Sequence, residues 1–353
     1  MKKSVIAVLV AAAVSALCIP VFSGCSAQVG YALKTDESGN CYYSVSAEGF
    51  TASLKGEVVI PEEYGEGDRR FPVKEIADRA FSGTGITKVT IPATVEKIGT
   101  AAFSYNNDLT EVVFAEDGKL EEISWGSFAY CLNMRTFNVP SSVKTVDGMA
   151  FYGCTNLEEV NLSAGMQKIN TQAFAECKAL ASINLPEGFK SIGTAAFYNC
   201  TSLKSIILPD GMSDEVEPSL DADGNQITDE EGNPVSVTVP AVGPIAFFGC
   251  ESLKYAVFGE GITAISEGLF GSCYALESVY LPASLKEVKG LYATSSIAYG
   301  HAFFNTDSFK TVYYAGSQEQ WEQIVIDKTV YKEISSNGTF INAEKIFNTK
   351  YAG

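Results

Sequence analysis

Residues 146–162 read VDGMAFYGCTNLEEVNL, and this stretch reveals the period of the whole chain. An Ala-Phe pair stands in a polar neighbourhood, and a cysteine follows the phenylalanine by three residues. Equivalent phenylalanines recur at spacings of 22, 25, 23, 23, 23, 50, 23 and 33 residues: Phe81, Phe103, Phe128, Phe151, Phe174, Phe197, Phe247, Phe270 and Phe303. The chain therefore contains about nine copies of a 23-residue unit, some of them separated by insertions.

The residues around each phenylalanine follow a common frame. An aliphatic residue usually lies five positions before it, and a leucine or another large apolar residue lies six positions after it. Segments such as LEEVNL and LKSIIL then alternate with the period of a short strand, and proline often follows. Because a unit of this length cannot bury its apolar positions alone, we expect the copies to stack around one continuous core.

The full pattern, L-x-x-I-x-L-P-x-x-L-x-x-I-x-x-x-A-F-x-x-C, resembles the Treponema pallidum type of leucine-rich repeat found in BspA-like bacterial surface proteins. The resemblance covers about residues 72–315. It implies an α/β repeat solenoid, a right-handed leucine-rich-repeat superhelix with short parallel strands, about nine repeats and a cap at both ends. It also implies adhesion to ligands on host or partner cells.

The flanking segments predict the remaining domain boundaries. We expect an N-terminal linker and cap over residues 25–71, the solenoid over 72–315 and a C-terminal cap over 316–353. Terminal units must shield the open end of the core, so Trp321 and Ile324 are interpreted as cap residues.

The N-terminus predicts export. Lys2 and Lys3 precede an apolar run from Val5 to Ile19, which has the length of a secretory signal, and the run ends in FSGC, which resembles a bacterial lipobox. We expect residues 1–24 to be a lipoprotein signal peptide and Cys25 to be acylated. Plain secretion with cleavage nearby and a retained anchor are the alternatives.

An insertion interrupts the period between Gly211 and Pro240. It contains DADGNQIT and DEEGNPVS, whose Gly-Asn pairs predict tight turns in a hairpin-like excursion. A calcium loop is the alternative, with oxygen ligands from Asp221, Asp223, Asn225 and Asp229. The usual closing bidentate glutamate of such loops is missing.

Composition and motifs restrict the classes of function. The chain has 25 Lys and Arg residues and 42 Asp and Glu residues, so its net charge is −17. This charge disfavours binding to nucleic acid and to anionic membrane surfaces. A lipid anchor is therefore the only link to a membrane that we expect. His301 is the single histidine, it aligns with ordinary repeat positions, and no G-x-S-x-G elbow, phosphate loop or dinucleotide fingerprint occurs. We therefore expect no catalysis and no cofactor, although scattered carboxylates leave a glycosidase-type pair open.

The cysteine of the opening stretch belongs to a column of equivalent positions. Cys131, Cys154, Cys177, Cys200, Cys250 and Cys273 lie three residues after a repeat phenylalanine, where Thr84, Asn106 and Thr306 stand in other copies. Small hydrogen-bond donors share this position, so we expect reduced thiols that donate to the backbone at a buried turn. Disulfides between copies and reactive chemistry are the alternatives.

The outward residues of the strand segments change along the chain. They are mostly polar in the first half, and in the second half they predict an exposed ridge of Ile207, Tyr255, Val257, Tyr280 and Tyr313. Such a ridge is typical of an interaction site, although the insertion or the C-terminal cap could cover it. The favoured hypothesis is a surface protein that recognises an extracellular or host protein or glycan. A passive scaffold without a specific ligand is the alternative, and the oligomeric state is left open.

Overall fold

Short strands repeat along the chain in two parallel stacks, which we call the first and second ladders. They are described in a computed structural model that covers residues 29–47, 54–218, 226–229, 231, 233–290, 292–293, 298–328, 330–331, 334–335 and 337–351. The predicted signal segment 1–24, Cys25 and three of the calcium candidates, Asp221, Asp223 and Asn225, lie outside the described residues. No helix among the described residues is long and apolar enough to cross a membrane.

The first ladder contains the strands that the alternating segments predict. Its hydrogen-bonded sets run β3–β6–β8, β10–β12 and β15–β18–β20–β24–β28, all parallel. A single bridge between Glu159 and Ser182 marks the same position in the copy after β12. The strands are β3 (Lys55–Val59), β6 (Gly85–Ile91), β8 (Glu111–Phe114), β10 (Thr136–Asn138), β12 (Glu159–Asn161), β15 (Ser205–Leu208), β18 (Tyr255–Phe258), β20 (Ser278–Leu281), β24 (Thr311–Tyr314) and β28 (Glu344–Phe347).

The second ladder lies at the aliphatic position that precedes most of the repeat phenylalanines by five residues. Most of its strands are only two residues long: β7 (Lys97–Ile98), β9 (Glu122–Ile123), β11 (Thr145–Val146), β13 (Lys168–Ile169), β14 (Ser191–Ile192), β19 (Ala264–Ile265), β21 (Glu287–Val288) and β25 (Val325–Ile326). At its N-terminal end, β2 (Cys41–Ser46) pairs in parallel with β5 (Phe71–Ile76), which pairs with β7. The predicted leucine-rich-repeat solenoid of short parallel strands is thus confirmed.

Between the ladders, the repeat phenylalanines form one continuous stack. Ring centroids of successive members from Phe81 to Phe303 are 5.1 to 5.9 Å apart. All of these rings are buried, as are the aliphatic residues of the second ladder before β25, in which Val325 is exposed and Ile326 is partly exposed. Phe340 continues the stack, 4.6 Å beyond Phe303, so the C-terminal segment packs on the end of the core.

Each phenylalanine turn is flanked by left-handed backbone. The residue two positions before the phenylalanine has positive φ at Arg79, Ala101, Met149, Gln172, Ala195 and Ile245, and the residue two positions after it does so at Tyr105, Tyr130, Glu176, Asn199, Ser272 and Asn305. Glycine is the residue that adopts this conformation at no steric cost, yet most copies place a residue with a side chain there. The stacked hydrogen bonds of neighbouring copies therefore hold these turns against a local preference.

Antiparallel hairpins and short helices complete the fold. The hairpins are β1 (Gly30–Thr35) with β2, β4 (Glu63–Tyr64) with β5, β16 (Glu215–Pro218) with β17 (Ser236–Val239), β22 (Tyr292–Ala293) with β23 (Ala298–Gly300), and β26 (Val330–Tyr331) with β27 (Ile334–Ser335). A 3-10 turn spans Gly67–Arg69, and two helices, α1 (Gln318–Trp321) and α2 (Gly338–Asn342), lie in the C-terminal segment. The strands β16 and β17 lie within the insertion and pair antiparallel, with Glu215 opposite Val239.

Candidate functional site

A group of aromatic side chains lies on the outer face of the first ladder, near its C-terminal end. The parallel register aligns Ile207, Val257, Tyr280 and Tyr313 across β15, β18, β20 and β24, one residue per strand. Tyr255 stands two residues earlier on β18, opposite Ser205 and Ser278. The ladder therefore brings together the residues that the sequence predicted as one ridge.

The tyrosine rings are in direct contact. The rings of Tyr280 and Tyr313 stack with their centroids 4.4 Å apart and their planes 9° from parallel. Tyr351, from the segment after β28, lies 6.0 Å from the Tyr255 ring and 5.0 Å from the Tyr280 ring. We call Ile207, Tyr255, Tyr280, Tyr313 and Tyr351 the tyrosine face.

The prediction that Val257 is exposed is wrong. Only 7% of its surface is accessible, whereas Ile207 next to it is 46% exposed. The register places this valine between Ile207 and Tyr280, and both neighbours have longer side chains. Adjacent strands are only about 4.8 Å apart. The longer side chains of Ile207 and Tyr280 therefore shield the Val257 side chain from solvent.

The C-terminal segment covers part of the ridge, which was the alternative left open by the sequence. Tyr255, Tyr280, Tyr313 and Tyr351 are all partly exposed. The Tyr351 hydroxyl donates a hydrogen bond to the Tyr255 hydroxyl over 3.5 Å. The segment thus adds a ring to the surface and fixes it, and part of each ring still faces solvent.

Hydrogen bonding and burial shift the pKa values of these phenols. The hydrogen bond from Tyr351 lowers the pKa of Tyr255, and the same bond raises the pKa of Tyr351. Burial raises the pKa of Tyr280, and the neighbouring phenols Tyr313 and Tyr255 raise it further. Phenol hydroxyls can both donate and accept hydrogen bonds, so the face can act in either role.

The cysteine column is structural, as predicted. Each thiol donates to the carbonyl oxygen of the repeat phenylalanine in the preceding copy, over 3.1 to 3.3 Å. All six are fully buried and free of disulfide bonds. Burial raises the pKa of Cys154 to about 12 and that of the other five well above its ordinary value. A nucleophilic or metal-binding thiolate is therefore disfavoured in this column.

Asp229, the one calcium candidate among the described residues, caps its own turn. Its Oδ1 accepts hydrogen bonds from the backbone N–H groups of Glu231 and Asn233 at 3.0 and 2.8 Å. Its Oδ2 accepts a third bond from the Asn233 side chain at 3.2 Å. No cluster of His, Cys, Asp and Glu suited to a metal occurs in the described ranges. The carboxylate thus has a structural role in a tight Asx turn.

His301 is a buried residue of the solenoid. Only 3% of its surface is accessible, and burial lowers its pKa, an effect that Asp327 opposes. A buried neutral imidazole beside the phenylalanine stack fits the structural role that the repeat alignment predicted.

Sequence analysis missed two members of the surface around the tyrosine face. Ile346 on β28 pairs with Tyr313 and extends the aligned row by one strand. Tyr351 follows five residues later and packs on the neighbouring copies. The C-terminal segment lacks the repeat phenylalanine frame, and its strand sequence EKIF shows no alternation of polar and apolar residues, so this strand was not predicted.

Solved structures of bacterial leucine-rich repeat proteins are among those similar to this chain. A leucine rich cell surface protein from Faecalibacterium prausnitzii A2-165 is 23% identical, with 85% of this chain and 97% of that chain covered and a TM-score of 0.40. The T. pallidum leucine rich repeat protein is 21% identical over 70% and 78%, with a TM-score of 0.35. A leucine-rich repeat protein from Bacteroides ovatus ATCC 8483 is 20% identical over 90% and 89%, with a TM-score of 0.38.

Family comparison supplies the classification. No curated protein matches the sequence. The family described as "BspA type Leucine rich repeat region (6 copies)" matches residues 70–158, 121–217 and 234–337. These ranges include well over half of the 353 residues and most of both ladders. The chain belongs to the BspA-type leucine-rich repeat family.

Proposed function

We propose that this chain is a cell-surface binding protein that recognises an extracellular protein or glycan through the tyrosine face. It performs no catalysis and needs no cofactor. The observation that carries the proposal is the contact geometry of the four phenol rings, which are held side by side and partly exposed on a rigid ladder. The alternative is a passive scaffold of the cell surface, in which the same rings serve packing alone.

Tyrosine suits a recognition surface for physical reasons. It offers a large apolar area and a polar hydroxyl, and it loses little rotamer entropy on binding. Stacking between Tyr280 and Tyr313 and the bond between Tyr351 and Tyr255 restrict the rings before a ligand arrives. A preorganised surface retains more of its contact energy as affinity.

The expected location follows from the N-terminal pattern. Lys2, Lys3 and the apolar run up to FSGC support export and acylation at Cys25, which would tether the solenoid to the outer face of a bacterial membrane. Two or three acyl chains give a stable anchor, whereas a single chain binds membranes only marginally.

A triple substitution tests the tyrosine face. The mature protein is screened against extracellular-matrix proteins and glycans, beside a variant in which Tyr255, Tyr280 and Tyr313 are replaced by alanine. We expect the variant to lose the interaction that the parent shows. Equal binding by both proteins would reject the face, and binding of neither to any ligand would favour the scaffold.

A second tyrosine cluster supplies a matched control. Tyr105, Tyr130 and Tyr152 form another contacting set, with centroids 4.8 and 5.4 Å apart, at the turns after the repeat phenylalanines. Replacing these three by alanine makes the same chemical change at a different surface. We expect this control variant to bind like the parent protein.

The anchor has an independent test. Expression in a bacterial host with an alkynyl fatty acid should label the parent chain. Cys25→Ala should abolish the label, while Cys18→Ala, seven residues earlier, should retain it. Persistent labelling of the Cys25 variant would refute acylation at this position.

A further inference from the structure

A groove lies along the second ladder, away from the tyrosine face. It runs from Trp125 past Thr171 and Thr194 to the base of the β16–β17 hairpin at Val239 and Pro240, and its volume is about 470 Å³. Lys168 and Glu215 form part of its wall. A volume in this range is typical of small-ligand sites.

Trp125 forms one end of the groove. Its side chain is 48% exposed, and the indole lies over Gly148, where an added Cβ would be only 2.9 Å from indole Cδ1. Trp125 stands three residues before its repeat phenylalanine, and the next copies place smaller residues there, Gly148, Thr171, Thr194 and Pro244. The indole therefore projects beyond these smaller residues, and part of its surface is exposed to the groove.

Polar groups suited to hydroxyl recognition follow the indole. Oδ1 of Asp147 accepts a 2.9 Å hydrogen bond from Nδ2 of Asn170 in the next copy. This bond orients the amide and leaves the Asn170 carbonyl oxygen and the second Asp147 oxygen outside that contact. Thr171 and Thr194 also line the groove. Together they offer both acceptors and donors along the floor.

The far wall is fixed to the solenoid. Asp214 accepts a 2.9 Å bond from the Ala241 backbone N–H and a 3.0 Å bond from the Thr263 hydroxyl, at the base of the hairpin. Lys168 Nζ lies 2.6 Å from Glu215 Oε2, which joins the second ladder to the first residue of β16. These contacts hold the groove in a preformed shape, so a ligand need not order the hairpin.

We propose that this groove binds a neutral oligosaccharide. An exposed indole provides a flat apolar surface for the C–H face of a pyranose ring, and the oriented amide, carboxylate and hydroxyls match the hydroxyls of a sugar. The groove lining contains two carboxylates, Asp147 and Glu215, and one ammonium group, that of Lys168, so its charge is negative. The whole chain carries a net charge of −17. Glycans rich in uronate or sulfate are therefore repelled.

This site is independent of the proposed tyrosine face. The groove lies on copies centred on Phe128 to Phe247 and uses the second ladder, whereas the face uses outer residues of the first ladder. None of the residues of the tyrosine face lines the groove, so each surface can be altered separately and the failure of one proposal is distinguishable from the failure of the other.

Tryptophan fluorescence provides a direct test, because the chain has only two tryptophans. In a Trp321→Phe background, Trp125 is the only tryptophan, and excitation at the red edge of its absorption avoids the tyrosines. Neutral hexasaccharides of glucose, mannose, galactose and N-acetylglucosamine are each added, and collisional quenching by acrylamide is measured. We expect at least one of them to reduce the quenching constant about twofold, and a galacturonate hexasaccharide to have no effect.

Calorimetry on variants with the native Trp321 then identifies the groove. Trp125→Ala should weaken binding of the active hexasaccharide at least tenfold, a loss of about 1.4 kcal/mol. Gly148→Ala should also weaken it, because the new methyl group displaces the indole. The triple alanine variant of Tyr105, Tyr130 and Tyr152, which lie outside the groove lining and the tyrosine face, should bind the sugar unchanged.

The outcomes separate clearly. Circular dichroism shows that the Trp125 and Gly148 variants fold before their affinities are compared. Failure of every neutral hexasaccharide to protect Trp125 would overturn the proposal. So would unchanged affinity in the Trp125→Ala variant, or equal protection by the galacturonate hexasaccharide.

Discussion

Alkaline pH should destabilise this protein through its buried cysteine column. The six thiols are fully buried, and burial raises their pKa well above the ordinary value of 9.0. When the pKa of an acid is higher in the folded than in the unfolded state, its contribution to stability is complete below the unfolded-state pKa. This contribution is lost as the pH rises from the unfolded-state pKa to the folded-state pKa. For Cys154, whose folded pKa is about 12, the loss runs from about pH 9 to about pH 12.

The magnitude follows from linkage. Between pH 8 and pH 10, an unfolded thiol with a pKa of 9.0 ionises while the buried one stays neutral, which costs about 1.4 kcal/mol per thiol. Six thiols together lower the free energy of unfolding by about 8 kcal/mol. Since domains are stabilised by about 5–15 kcal/mol in total, a loss of this size brings the solenoid close to unfolding at pH 10.

Urea unfolding at pH 8, 9 and 10, followed by circular dichroism, measures this loss. The control replaces Cys154, Cys177 and Cys200 by threonine, which other copies carry at the equivalent positions 84 and 306. Removing half of the column should halve its contribution, so the control should lose about 4 kcal/mol less than the parent between pH 8 and 10. Tyrosine ionisation is common to both proteins and cancels in the comparison. The same pH dependence in both would refute the reasoning.

Three further predictions test the fold. Ala101 has a φ of 54°, a conformation that favours glycine. Ala101→Gly should therefore stabilise the protein by about 0.5–1 kcal/mol in urea titrations. The control Ala150→Gly, at a position without positive φ, should destabilise it. Phe174→Ala removes a fully buried ring stacked on two neighbours and should cost about 3–5 kcal/mol in the same assay; a cost below 1 kcal/mol would contradict the continuous stack. Asp214→Ala removes two hydrogen bonds at the hairpin base and should accelerate Glu-C cleavage within residues 211–240 several-fold by mass spectrometry, with unchanged rates counting against an anchored hairpin.

The repeated positions were predictable from the sequence because their environment is the same in every copy. A phenylalanine between two stacked phenylalanines is buried wherever it occurs, and so Phe151 could represent all of them. The environment of Cys154 is also repeated. Cys131 and Cys177 in the adjacent copies donate the same kind of hydrogen bond to a phenylalanine carbonyl. The alternating segments likewise predicted the first ladder, since four to six residues suffice to show a period of two.

Other features had too weak a local signal. A second-ladder strand such as Lys97–Ile98 has two residues, and no alternation is visible over that length. The left-handed turns are occupied by residues such as Met149 and Gln172, which the sequence does not mark as turn formers. In both cases the conformation is imposed by hydrogen bonds between neighbouring copies, so it depends on the stack and cannot be seen in one copy.

Residues that differ from the repeat pattern are restrained by packing in the core but not on the surface. A departure in the core must still fit between two copies, as Asn106 does by donating hydrogen bonds to the carbonyls of Phe81 and Phe103. A departure on the surface meets solvent, so stacking places little restraint on it. Trp125 is such a residue, since the neighbouring copies place glycine and threonine at its position. The Trp125 indole packs on Gly148 yet remains 48% exposed, and the proposed oligosaccharide would cover the exposed part. For a solenoid of this kind, we therefore expect binding residues at exposed positions where the repeat is broken.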